Sequence, residues 1–443
     1  MEDNRPCEIS HRQILQGNCP LCGVFVRSPS LMNGKDDEIN GDCVWDAAAM
    51  RAALKNDDET VHWITIRNLQ QKTVPLQISI PLLSQAIGKG SERTRDSAED
   101  ALWKIGTRIS KKDVRKLEDQ LSCPDNELAI RIVLLVSYLN MRGNKKLIRL
   151  ARLRSVFWII ENAPECNTAG SPYAFLIDVE DSADYEKAKQ LWLGHVEAHG
   201  NNLKILGNAS QFFTLRDKTL SEKLLKRGRV LDPSNPEWTE RLGQLYSLGN
   251  CPKLSGHTQG DSAHKALEHF QAADEIRRGV PFHGVAKVEV DAKHRKEKIL
   301  IESAMTLFSL CDLTNAAIKA GEFQVAREYA TKLLRTAHLS ELPEGVRQGQ
   351  PVFDGNLALG WCALKEGDVD LAKNYLIAAA HTKGSPTLNS FGPDMSLAKA
   401  LMERGERAAV LEFLELCTEF WKMSGTRHQQ WIEDVKHGNI PDF

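Results

Sequence analysis

The segment "LALGWCALKEGDVDLAKNYLIAAA", residues 357–380, limits what this chain can fold into more than any other. It sets Gly360, Gly367, Ala372 and Ala379 into a helical apolar pattern that breaks once, at "KEGDVD". Small side chains at such places let two antiparallel helices approach closely, and Gly367 is suited to end the first of them in a left-handed C-cap. The unit is therefore a helix pair. A pair this small hides its apolar face only by stacking on neighbours, so the chain should contain more of them.

It does. "LDPSNPEWTERLGQLYSLG" (231–249) combines a helix end, an Asp-Pro turn and a helix carrying Trp238, Leu242, Gly243 and Tyr246. Weaker copies carry Leu206 and Gly207 (201–213), Gly321, Ala326 and Ala330 (315–334), and Gly405 and Ala409 (397–421), the last with a large aromatic end. Nearer the start, residues 52–69 align with 85–102 at an offset of 33, which sets Leu54 on Ile87, Val61 on Thr94, His62 on Arg95 and Leu69 on Leu102. Residues 117–139 repeat that scheme more loosely. The polar stretches "GNCPKLSGHTQGDSAHK" and "HLSELPEGVRQGQPVFDG" read as long loops between repeats. "ENAPECNTAGSPYAFLIDVED" (161–181) reads as a hinge.

Residues 357–380 resemble a tetratricopeptide repeat, and that resemblance extends over about 185–425. Residues 45–160 or so resemble HEAT-like repeats. The whole layout is similar to an uncharacterised group of bacterial helical-repeat proteins with a cysteine-containing head, HEAT-like units, tetratricopeptide-like units and a tail like "LNSFGPDMSLAKALMERGE". The resemblance implies an interaction protein and assigns no reaction.

A chain of 443 residues has room for two or three domains or for one extended solenoid. Its formal charge of −2 gives no global argument for nucleic acid or membrane, so only local patches could bind them. The start, "MEDNRPCEIS", lacks an apolar stretch, so no secretory signal is expected. "LAIRIVLLVSYL" contains Arg131 and is too short to span a bilayer, which makes it core. Of the ten cysteines, six (Cys123, Cys166, Cys251, Cys311, Cys362 and Cys417) are scattered and several of these fall within apolar helical pattern, which suits small buried thiols in a reducing cytoplasm.

The stretch that looks like chemistry is "CEISHRQILQGNCPLCGVF". Its Cys-Pro-x-Cys-Gly turn resembles a zinc knuckle, and a structural zinc needs four such ligands in a tetrahedron. Cys7, His11, Cys19 and Cys22 could supply them, with Cys43 in reserve; the C-x3-H half departs from the usual second C-x-x-C. A redox pair would want a strand–motif–helix context that is absent here, and two ordinary thiols is the third possibility. His195 and His199 stand four apart, as helical metal ligands do, but Val196 occupies the place where a metalloprotease carries glutamate. They read as solvated histidines at a helix end.

"RGNKKLIRLARLR" (142–154) holds Arg142, Lys145, Lys146, Arg149, Arg152 and Arg154 without an acid, and Lys111, Lys112, Arg115 and Lys116 precede it. These could line a phosphate-binding groove or form a solvated face whose stems cover apolar surface. Phe157 and Trp158 look like core. No phosphate-binding loop, nucleophile elbow, dinucleotide fingerprint or paired-carboxylate pattern is present, so no enzyme is expected.

The sequence thus predicts an all-α fold, an α-solenoid of HEAT-like and then tetratricopeptide-like helix pairs with a small zinc-knuckle-like head. The expected divisions are 1–42 for the head and linker, 43–160 for the HEAT-like repeats, 161–184 for the hinge and 185–443 for the tetratricopeptide-like repeats. The expected function is that of a non-enzymatic cytoplasmic scaffold whose grooves bind partner proteins or peptides. Nucleic acid or another polyanion, held on the HEAT-like basic face, is the alternative. No membrane partner is expected, and zinc is the cofactor to test for.

Overall fold

The computed structural model describes residues 47–56, 59–121, 126–176, 182–248, 259–279 and 292–443, the last from 303 on in side-chain detail. It also describes the backbone of three short strands, Gly17–Asn18, Val24–Val26 and Val44–Trp45, which pair antiparallel in chain order. Everything else in the described residues is helix and connection, as an all-α reading requires. Packing divides the chain into two compact units between Asp217 and Lys218.

In the first unit, α1 (Ala47–Ala53) and α2 (Glu59–Leu69) are followed by α3 (Leu76–Lys89) and α4 (Glu92–Gly106). The 33-residue offset is visible here: Glu59 and Glu92 each open the second helix of a pair. Val61 and Thr94 are both buried, as are Leu69 and Leu102. Ser91 caps α4 by accepting from the Thr94 amide at 3.3 Å. Next come α5 (Lys111–Asp119), α6 (Glu127–Asn140) and α7 (Lys145–Asn162).

The apolar run expected as core is α6, buried from Ile132 through Tyr138. Its one interior charge, Arg131, bonds Glu127 at 2.7 Å and lies over the Trp158 ring at 4.8 Å, so the cation is paired rather than stranded. Phe157 and Trp158 themselves are half-buried rather than core, each ring covered by a cationic side chain. Among the described residues no helix is long and apolar enough to cross a membrane.

The stretch expected as a hinge forms two 3-10 turns, Asn167–Gly170 and Pro172–Ala174, before α8 (Ser182–Ala198) and α9 (Leu203–Phe213) complete the unit. Asn208 of α9 donates to the carbonyls of Pro164 and Cys166, each at 2.8 Å, and ties the first turn down.

The second unit runs through α10 (Lys218–Leu231), α11 (Pro236–Ser247), α12 (Gln259–Gly279), α13 (Ala292–Ala320), α14 (Phe323–Leu339), α15 (Glu344–Arg347), α16 (Gln350–Glu366), α17 (Val369–Ala380), α18 (Pro386–Ser390), α19 (Ser396–Met402), α20 (Arg407–Cys417) and α21 (Arg427–Lys436). From α10 to α14 each helix packs on the next in sequence, and α14, α16 and α17 continue the series.

Three connections in it are built alike. Gly321, Gly367 and Gly405 all have φ near +80° (78°, 86° and 87°). Each donates its amide three residues back, and the residue after each donates five back, to Ala317, Ala363 and Leu401. This is the Schellman closure, which requires a left-handed residue and so favours glycine. Five residues after each glycine stands a fully buried side chain: Ala326, Ala372 and Val410. The third corrects the sequence reading, in which Ala409 filled that place; Ala409 is only half-buried, one position out of register.

At Gly360 the helices approach closely: a Cβ there would come within 2.5 Å of the Leu397 side chain, which would have to shift. The stretch 338–355, expected as a loop, is largely helix. It ends α14, forms α15 and opens α16 with Pro351 in the first turn, where a missing N–H costs nothing. The C-terminal aromatic end is a cluster in which Trp431 lies 5.7 Å from Trp421 and 5.3 Å from Phe443.

Candidate functional site

The residues expected to hold zinc, Cys7, His11, Cys19 and Cys22, with Cys43 in reserve, lie outside the described residues. Among the described residues no group of three or more His, Cys, Asp or Glu is arranged to hold a metal. His195 and His199 close α8 with their rings 6.5 Å apart and nearly parallel. His199 is exposed, and His195 is half-buried against Trp192.

Both histidines line a cleft of about 580 Å³ in the first unit, together with Glu92, Asp96, Glu99 and Lys204. The three acids are successive on one face of α4. Glu99 is buried, and it accepts from the amides of Asn167 (3.1 Å) and Thr168 (2.9 Å) and from the Thr168 hydroxyl (2.8 Å). Burial pushes its carboxyl up against those bonds. Asp96 accepts from the Asn167 side chain at 2.7 Å, and Lys204 reaches Glu92 at 2.9 Å. The acids and Lys204 are thus engaged in holding the 3-10 turn between α4 and α9. The cleft is a clasp closed by its own hydrogen bonds and ion pair.

The basic run is divided by the fold. Arg149 bonds Asp184 of α8 at 2.6 Å with both side chains half-buried, and Arg152 donates to the carbonyls of Tyr173 and Phe175. Those two cations fasten α7 to its neighbours, so they belong neither to a free phosphate-binding groove nor to a solvated face. Arg142, Lys145, Lys146 and Arg154 are exposed, as are Lys111, Lys112, Arg115 and Lys116 on α5.

A third feature was not read from the sequence. On α13 of the second unit, Met305, Phe308, Asp312 and Asn315 follow one another at helical spacing along a single stripe. Met305 and Phe308 are 44% and 53% exposed and lie one turn apart on that stripe, so their apolar surfaces adjoin. Beside them runs a line of polar groups. Arg277 of α12 bonds Glu240 of α11 and donates to Ser309 at 3.0 Å. Asp354 of α16, 4% exposed, accepts from Asn315 at 3.0 Å and Gln350 at 2.8 Å.

Burial, with Glu240 and Asp354 adding to it, pushes the Asp312 carboxyl up to about 7 against Arg277 and Lys319. Burial raises Asp354 to about 6 in spite of its hydrogen bonds. The sequence signal was present but faint: Asp354 interrupts an apolar run, and an acid at a core position of a helix calls for a partner. No protein-family model matches this chain, and no curated protein matches it.

Proposed function

We propose that this chain is a non-enzymatic protein-interaction scaffold, and that it engages partner proteins through the α13 face of its second unit. The observation that carries the reading is the exposure of Met305 and Phe308 on the stripe that also bears Asp312. Exposed apolar side chains rimmed by polar groups are what a docking surface needs, because their burial drives association while the rim fixes register. The three like-built Schellman turns, with packing between successive helices, support the finer reading of stacked tetratricopeptide-like pairs. The α1–α4 register supports HEAT-like pairs before them. Buried free thiols at Cys166, Cys311, Cys362 and Cys417 support a reducing, cytoplasmic setting.

The test is affinity capture from native lysate with wild type and with Met305→Ser/Phe308→Ser. A defined set of proteins should be retained by wild type, insensitive to nuclease, and lost with the double variant. Identical capture by the two would remove the α13 face from the proposal.

The exposed cations of α5 and α7 favour a second reading, polyanion binding. Its mark is an affinity that falls steeply with salt, because phosphate contacts release counterions.

A further inference from the structure

Asp312 differs from the other carboxyls around it. Both oxygens of Asp354 are bonded, and Glu240 is bonded to Arg277. The Asp312 carboxyl is half-buried and has no hydrogen bond or ion pair among the described residues. The charged groups that act on it are Glu240 from α11, Arg277 from α12, Asp354 from α16, and Lys319 on its own helix. Of the two cations, Arg277 is already committed to Glu240 and Ser309, and Lys319 is exposed two turns away. Phe308 lies one turn before Asp312, and Met305 two turns before it.

We infer that this face takes a basic amphipathic segment of a partner protein, one lysine or arginine of which pairs with Asp312 while an adjoining apolar side chain covers Phe308 and Met305. The inference rests on the protein-binding reading above and names the chemistry of that partner. Charge complementarity decides among occupants. A purely apolar segment would cover Phe308 and leave Asp312 desolvated without a partner, which is costly. An acidic segment would add a fourth negative group to Glu240, Asp312 and Asp354. A cation supplies what the face lacks, and it would neutralise the repulsion that now works against ionising Asp312.

Proton linkage follows. The cation pairs with the ionised carboxyl, so binding strengthens as pH rises through the free-state value of Asp312, about 7, and releases a proton in doing so.

The experiment titrates the full chain with three short synthetic peptides, one of leucine and lysine, one of leucine and glutamate, and one of serine and lysine, by fluorescence anisotropy. The leucine–lysine peptide should bind, roughly tenfold or more tighter than either control. Its affinity for wild type should rise roughly tenfold between about pH 5.5 and pH 8, while Asp312→Asn binds weakly at both. Phe308→Ala should weaken binding at every pH. The pH series on wild type needs no variant, and Asp312→Asn, which removes an unpaired charge, should melt no lower than wild type.

Loss of binding in Phe308→Ala, with no effect of pH or of Asp312→Asn, would keep the docking face and overturn the basic partner. Equal affinity for the lysine and glutamate peptides would overturn it as well. Insensitivity to both substitutions would overturn the docking face itself.

Discussion

At Asp354 the fold holds a carboxyl away from water between Gln350, Asn315 and Cys311, and its acid–base equilibrium has a direct effect on stability. Its folded value, about 6, lies above that of an unfolded aspartate, roughly 3.9. The folded state therefore favours the neutral acid. That contribution is fully present below about pH 4 and is lost as pH rises through about 6, on the order of 2–3 kcal/mol in all. Asp354→Asn should abolish it: urea midpoints of wild type should fall relative to the variant between about pH 4.5 and pH 7.5, and parallel curves would contradict the account. A second expectation at this scale comes from sequence alone. If Cys7, His11, Cys19 and Cys22 close a site, the purified protein should carry about one zinc per chain by elemental analysis, and Cys19→Ser should lose it. Metal-free protein, prepared without chelator, would remove that reading.

The helix pair is the unit in which this sequence is easiest to read. Glu59 and Glu92 open equivalent helices because polar first turns and buried positions recur at one offset, and such periodicity survives without knowledge of the neighbours. Gly367 was legible because only a left-handed residue closes a Schellman turn comfortably. Gly367→Ala should cost about 1–2 kcal/mol in a urea melt. Ala372→Leu, at a fully buried helix contact, should overpack it and cost about 1–3 kcal/mol; a melt like that of wild type would contradict the register. The failures have physical causes. Pro343, Pro351 and their glycines disguised α15 and the start of α16, because proline stops a helix from within but not at its first turn. Val410 was passed over for Ala409 since both are small enough for the contact. Asp312 was missed because its significance depends on Glu240 and Asp354, which are far away in the chain and brought near only by packing.

For the molecule as a whole, the question is which surface meets its partner. Replacing Arg142, Lys145 and Lys146 with Ser should leave the melt unchanged, since exposed charges contribute little, and should leave protein capture unchanged. Arg149 belongs outside that set, because its bond to Asp184 is part of how α7 is fastened. Micromolar or tighter binding of generic DNA or RNA in a filter assay, abolished by the triple substitution, would promote the polyanion reading. The buried thiols have a consequence of another kind. Cys311, Cys362 and Cys417 sit in α13, α16 and α20, and burial pushes each thiol above its ordinary value, so none is reactive while its helix stays packed. Modification by an aromatic disulfide reagent must wait for that helix to open. The three sulfurs thus act as built-in clocks, and their separate labelling rates, read by mass spectrometry of peptides, would time the opening of successive helix pairs along one chain without any added probe.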